Sequence, residues 1–274
     1  MGRLNGHVKA LSEACLDVDV LKYPCGNIAP IIVEKSFLWK YYSVMEQTDI
    51  LLNGNKIIQD SDGFMFGVDA VLLAEFACSQ VKKDETVIDL GTGTGIIPLM
   101  MEKNCGASAF TGLEIQKKYA DMAQRSVELN GLSQKIKIVN GDIKSVNGLF
   151  ARHSFNIVTC NPPYMISDGT LVHNDSEEKT IARHEVLCTL EDVIAAAEFL
   201  LHSHGRFFMI HRPERLAQIF VTLAKYGLEP KRMKLVQPYQ NEAPNLVMLE
   251  ARKDARPGLK LESAAVVRDY IRSK

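Results

Sequence analysis

No stretch of this 274-residue sequence stays apolar long enough to cross a bilayer. The longest apolar runs, residues 28–33 and 193–201, are broken by Pro30 and Glu198, whereas a spanning helix needs roughly 18 to 20 apolar residues. The N-terminus lacks the basic start and apolar core of a secretory signal, and it lacks the acid-free, arginine-rich character of a transit peptide. A cytoplasmic protein is expected. Charge of one sign is missing too, since 32 Lys and Arg face 33 Asp and Glu for a net −1. With 46% hydrophobic and 24% charged residues, the composition excludes a disordered polymer, a collagen-like chain and a membrane bundle. The length suits one large domain, with or without appendages.

Six cysteines, Cys15, Cys25, Cys78, Cys105, Cys160 and Cys188, form no C-x-x-C pair. They read as free, mostly buried thiols rather than a disulfide framework. His202, His204 and His211 lie close in sequence, but no Cys or carboxylate stands at a usual ligand spacing, so no metal is expected. The near-neutral total hides an uneven distribution. Residues 1–200 hold 18 Lys/Arg and 26 Asp/Glu, whereas residues 201–274 hold 14 and 7. In that basic quarter Lys231, Arg232, Lys234, Arg252, Lys253 and Arg256 are either a patch for a polyanion or separately solvated charges.

From about residue 84, short β-branched runs alternate with longer helical stretches, the pattern of a parallel sheet covered by helices. Strands are predicted at 86–90, 109–114, 136–139, 155–160, 206–210, 231–236 and 245–251, and helices at 96–103, 116–130, 190–201 and 213–226. The last two strands have no helix between them, which suggests an antiparallel pair at one edge. The expected fold is α/β, a doubly wound, mostly parallel seven-stranded sheet. Residues 165–188 are polar and aperiodic, and so long a loop is a lid candidate. Residues 1–44 read as an extension of uncertain structure, 81–254 as the main domain and 255–274 as a C-terminal tail.

Asp89-Leu90-Gly91-Thr92-Gly93-Thr94-Gly95 falls between a strand and a helix, where a doubly wound sheet binds a nucleotide-like ligand. The nicotinamide fingerprint needs a small residue where Ile96 stands. No G-K-[ST] ending marks a triphosphate site. Glu114 closes the next strand, 19 residues after Gly95, where a carboxylate can take both hydroxyls of a ribose; otherwise it is a solvated strand-end charge. Asp142 follows the third strand and would otherwise only form a turn. Asn161-Pro162-Pro163-Tyr164 follows the strand at 155–160. Two consecutive prolines stiffen that turn and leave carbonyls without a neighbouring N–H, an unusual turn to build for fold alone.

An acid followed by G-x-G-x-G resembles motif I of the class I S-adenosylmethionine-dependent methyltransferases. Asn161-Pro162-Pro163-Tyr164 resembles their motif IV in enzymes that methylate amide or exocyclic amine nitrogens. The resemblance implies a Rossmann-like fold and S-adenosylmethionine held by Asp89, Gly91, Gly93, Gly95 and Glu114, with Asp142 on the adenine amine. Asp89 is either structural or near the methionine end. Such a nitrogen delocalises its lone pair and attacks poorly. The Asn161 side-chain oxygen and the Pro162 carbonyl would accept its two N–H groups and aim the lone pair, so that orientation and electrostatics replace a strong base. Tyr164 would stack on the unstacked target base, with Pro163 and Arg183 also contacting substrate.

Phe64 to Ala74 reads F-x-F-G-x-D-A-x-L-L-A. With Ala182-Arg183-His184-Glu185 and His211-Arg212-Pro213-Glu214-Arg215, it resembles the bacterial tRNA1(Val) adenine-N6 methyltransferases of the small-domain methyltransferase family, over about residues 46–258. That resemblance implies methylation of the adenosine 3′ of the anticodon in a valine tRNA, and a strand and helix element at 45–80 packing on the cofactor site. Arg183, His184 and Glu185 would meet RNA or the methionine carboxylate, or only bridge within the lid. Family members begin near Met45, so Met45 is either the natural start or preceded by a dispensable leader. The rivals are a glutamine N5-methyltransferase of release factors, which needs a helical N-terminal domain that residues 1–80 do not pattern, and another rRNA or DNA amino-methyltransferase. A binding-only protein is disfavoured by the intact Asn161 and three glycines, and a dehydrogenase by Ile96.

Overall fold

A computed structural model describes residues 46–60, 67–162 and 188–267. The readings made for residues 1–44, the turn at 62–66, Pro163, Tyr164, the lid with Arg183, His184 and Glu185, and the last seven residues lie outside the described residues. The order is β1 (Glu46–Ile50), β2 (Lys56–Asp60), α1 (Val68–Cys78), β3 (Thr86–Leu90), α2 (Ile96–Asn104), β4 (Ala109–Glu114), α3 (Lys117–Leu129), β5 (Ile136–Asn140), α4 (Val146–Leu149), β6 (Phe155–Cys160), α5 (Leu190–Leu200), β7 (Leu201–His211), α6 (Leu216–Lys225), β8 (Leu228–Gln237), β9 (Leu246–Lys253) and β10 (Lys260–Val266).

Eight strands form one sheet in the order β10-β8-β9-β7-β6-β3-β4-β5. Only β9 runs against its neighbours, antiparallel to β7 and β8; the other pairs are parallel. From β3 the chain winds outward through β4 and β5, and from β6 through β7 in the other direction. The winding reverses between β3 and β6, so the crevice beyond their carboxyl ends is the ligand position of an open α/β sheet.

Both faces of the central strands are buried, which is why they read as unbroken apolar runs. Val87, Ile157 and Phe208 pack on one face with α1 and α2. Ile88, Val158 and Phe207 pack on the other with α5 and α6. Thr189 caps α5 reciprocally, its hydroxyl accepting the Asp192 N–H and the Asp192 carboxylate accepting the Thr189 N–H, as its sequence position predicts. Among the described residues no helix is long and apolar enough to cross a membrane.

Several expectations change. The sheet has eight strands, not seven, because the segment read as a tail supplies β10 alongside β8. Its sequence, KLESAAV, contains no apolar run because an edge strand keeps much of its surface in water. β7 begins five residues before the predicted strand, and its register against β6 is irregular between Phe155 and Ile157. Residues 46–60 are a two-stranded pair, and the amides of Asn53 and Asn55 hold it to the Leu99 carbonyl of α2 at 2.8 and 2.9 Å. Cys78, Cys105, Cys160 and Cys188 are free thiols, but only Cys160 is buried. The basic patch is corrected most. Arg232 pairs with Glu250 at 3.1 Å and Glu262 at 2.7 Å, Arg252 with Glu250 at 3.2 Å, and buried Lys253 with Glu198 at 2.7 Å. These cations hold β8, β9, β10 and α5 together. Because β9 runs backwards, Arg252, Lys253 and Arg256 also lie toward the sheet edge opposite the carboxyl end of β6.

Candidate active site

Leu90 and Cys160 are paired across β3 and β6. The glycine turn and Asn161 therefore leave the sheet side by side. The N–H groups of Gly91 and Thr92 both donate to the Leu113 carbonyl of β4, at 2.9 and 3.0 Å, and Gly95 donates to the Thr92 carbonyl at 2.9 Å. Gly91 and Gly93 adopt φ of 70° and 56°, a left-handed conformation that glycine takes at least cost. A Cβ at either would meet no atom of the described residues within 4 Å, so among them the turn leaves an open cradle above its backbone. Gly95 starts α2, and Pro98 sits in the first turn of that helix, where a missing N–H costs little.

Glu114 is buried at the end of β4. Its Oε2 accepts the Gly93 N–H at 2.9 Å and its Oε1 the Gln116 N–H at 2.8 Å. Burial raises its pKa against those two hydrogen bonds. It is a brace for the turn rather than a solvated strand-end charge. Asp142 caps the turn before α4, with Oδ1 accepting the Lys144 N–H at 2.9 Å, so its turn-forming role is present.

Asp89 is 1% exposed. In the sheet it lies between Gly112 of β4 and Thr159 of β6, and its Oδ1 accepts the Thr159 hydroxyl at 2.7 Å. Its Oδ2 and the Thr92 hydroxyl are buried and make no hydrogen bond among the described residues. Burial pushes the Asp89 pKa up to about 7, despite the Thr159 hydrogen bond.

The cleft at this switch point is lined by Gly91, Thr92, Gly93 and Thr94 of the turn, Ile96 and Ile97 of α2, Ala70 of α1, and Asn161. It joins the glycine turn to Asn161. Pro162 beside it is buried. Asp89, Gly95, Glu114 and Asp142 are not among the residues that line the cleft: Asp89 lies buried in the sheet behind it, Gly95 starts α2, Glu114 braces the turn through Gly93, and Asp142 caps the separate turn after β5. Sequence reasoning gave no role to Thr92, Thr159 and Gly112, whereas Ala70 lies in the stretch expected to pack on the cofactor site. A Cβ on Gly112 would stand 2.7 Å from the Thr92 Cγ2 and 3.0 Å from the Ile138 Cδ1. A glycine inside a strand is a signal of such close approach.

Comparison with known proteins agrees with this geometry. The methyltransferase small domain family matches residues 68–220. A tRNA1(Val) (adenine(37)-N6)-methyltransferase from Porphyromonas gingivalis is 30% identical over 190 residues, 68% of this chain and 73% of that one. One of the same name from Shewanella halifaxensis is 26% identical over 218 residues, 77% of this chain and 86% of that one. Among solved structures, a predicted O-methyltransferase from Agrobacterium tumefaciens superposes with TM-score 0.58 at 23% identity, over 72% of this chain and 86% of that one. The tRNA m1G37 methyltransferase of M. jannaschii superposes with TM-score 0.56 at 15% identity, over 77% and 58%; these two likenesses speak for the fold. With its glycine turn and Asn161 joined in one cleft at the switch point of the sheet, the chain belongs to the methyltransferase small domain family.

Proposed function

We propose that this protein transfers a methyl group from S-adenosylmethionine to N6 of an adenosine in tRNA, the one 3′ of the anticodon in a valine tRNA, and works in the cytoplasm. One observation carries the reading: Asn161 and the glycine turn leave neighbouring strands from paired residues and line one cleft. The tRNA substrate is supported by the names of the relatives, which share about two-thirds of the chain.

The residues present fit the cofactor. Among the described residues the turn is open where side chains would otherwise stand, and one buried carboxyl oxygen of Asp89 makes no hydrogen bond. Gly91, Gly93 and Gly95 would let the backbone approach it, Glu114 would add ribose hydroxyls to the two N–H groups it holds, and Asp142 would face the adenine amine. Asp89 would lie at the methionine end. The bound cofactor supplies an electrophilic methyl on a sulfonium. Asn161 and the Pro162 carbonyl accept the two N–H groups of the target amine and direct its lone pair at that methyl. An amide oxygen is a feeble base, so rate comes from alignment in a dry cleft. Tyr164, stacking on the target base, and Pro163 and Arg183, contacting substrate, complete the reading. Arg212, exposed at the same sheet edge as Asn161 and bonded to the Asn245 carbonyl at 3.1 Å, is the described cation best placed for an RNA phosphate.

The test is incubation with radiolabelled S-adenosylmethionine and total tRNA from a strain deleted for the gene, followed by nucleoside mass spectrometry. N6-methyladenosine in a valine tRNA, lost in Asn161→Ala, is the expected result. Label in a release factor and none in RNA overturns the reading.

A further inference from the structure

The groups that act on the buried carboxyl of Asp89 are the hydroxyls of Thr159 and Thr92 and the charge of Glu114. None of them is a cation. Across the sheet its flanking positions are Gly112 and Thr159, and the cleft near it is walled by Ala70, Ile96 and Ile97. Cys160, buried on the neighbouring strand, is itself held as a neutral thiol by burial. An ionised carboxylate in such surroundings lacks the compensation that buried charges normally have. One of its oxygens is satisfied at 2.7 Å by Thr159, while the other is unpartnered, as is the nearby Thr92 hydroxyl on the wall of the cleft. A buried carboxyl oxygen that makes no hydrogen bond, next to the glycine turn, is an acceptor that a cationic ligand would satisfy.

We infer that Asp89 holds a proton in the empty enzyme and gives it up when the cationic cofactor enters, so that cofactor binding releases a proton. This rests on the reading of the cleft as an S-adenosylmethionine site. In the empty cleft the proton sits on the unpartnered Asp89 oxygen, and the neutral acid avoids the cost of an unpaired buried charge. When the ammonium and sulfonium of the cofactor arrive, the charged form is favoured and the proton leaves to solvent. The Asp89 carboxylate and the Thr92 hydroxyl are then ligands of the cationic end. The device makes affinity sensitive to pH near neutrality, with tighter binding on the alkaline side. Glu114, raised by burial, is the other carboxyl near the turn that can contribute protons, so the experiment has to separate the two.

The separation comes from calorimetric titration of the full chain with S-adenosylmethionine in pairs of buffers with different ionisation heats. At pH 6 the cofactor's own amino group, with an ordinary value near 7.7 to 8.0, is already charged and takes up almost nothing. Given a pKa of about 7 for Asp89, its release is close to one proton per cofactor at pH 6 and about half a proton at pH 7, with affinity falling about fivefold between pH 7 and pH 6. Asp89→Asn removes that release. Thr159→Val, which deletes the side-chain hydrogen bond favouring the charged form, moves the midpoint of release to higher pH. Equal release in the parent and in Asp89→Asn overturns the inference. Should Asp89→Asn fail to fold or bind, an unmoved midpoint in Thr159→Val overturns it instead. Binding without proton release removes this inference and leaves the cofactor reading intact, whereas no binding of S-adenosylmethionine to the parent removes both.

Discussion

The carboxylate of Glu114 accepts the Gly93 N–H through one oxygen at 2.9 Å and the Gln116 N–H through the other at 2.8 Å. One side chain thus ties the turn after β3 to the entry of α3. Glu114→Ala releases both amides, and the turn loses its preset shape. Cofactor affinity should fall by about tenfold or more, the effect of losing one or two charge-assisted hydrogen bonds. Glu114→Gln restores only one acceptor and sets an N–H₂ against the other amide, so rescue is partial. Calorimetry with S-adenosylmethionine on both variants reads the difference.

Gly112 acts by vacancy. A methyl there would overlap the Thr92 side chain at 2.7 Å and press it into the cleft. Gly112→Ala should therefore weaken cofactor binding, and it should destabilise the fold by about 1–3 kcal/mol as an overpacked site. Gly112→Ala combined with Thr92→Ser, which removes the obstructing methyl, recovers part of both losses. Melting temperature and cofactor affinity of the single and double variants check this.

Arg232 meets Glu250 and Glu262, and its guanidinium lies 4.5 Å from the centre of the Phe76 ring on α1. Glu250 is 1% exposed. Arg232→Ala leaves that buried carboxylate with Arg252 alone, and breaking a buried pair costs about 3 kcal/mol. Arg256→Ala, at an exposed position, changes stability by less than about 0.5 kcal/mol. Urea unfolding of the two variants separates a strut from a solvated charge.

His211 ends β7 fully buried, and its Nδ1 accepts the Arg212 N–H at 2.8 Å, so the neutral ring carries its proton on Nε2. Burial and the charge of Arg215 lower its pKa from 6.5 to about 4. The unfolded chain then binds a proton that the folded one refuses. Stability contributed by His211 is whole above about pH 6.5 and is lost as pH falls toward 4. Asp89 acts in the reverse sense, since its raised value favours the fold at low pH and that benefit is lost as pH rises through about 7. In His211→Gln, the melting temperature should fall less between pH 6.5 and pH 4.5 than in the parent.

Much of this arrangement is legible in the residues. TVIDL and FNIVTC are buried on both faces, so their apolar runs announce central strands. Thr189 with Asp192 marks a helix start locally, and the glycines after TVIDL mark a turn with positive φ. The eighth strand and the strand pair at 46–60 were illegible for the opposite reason. Their residues are half in water or are tied through their own asparagine amides to a distant helix, which leaves no periodic signal. The basic quarter misled because a count of cations says nothing about their partners. Arg232 and Lys253 find carboxylates from other elements, and only the folded chain brings those together.

The sequence by itself determined the α/β alternation, the position of the glycine turn and the place of Asn161 just after a central strand, because local sterics and apolar periodicity act over a few neighbouring residues. The tertiary structure decided which acids are charged, which cations are struts and which residues share the cleft. Asp89, Gly112 and Thr159 stand in one row across three strands that are far apart in the chain, and the burial that raises the Asp89 pKa, like the meeting of Gly112 with Thr92, exists only once those strands have paired.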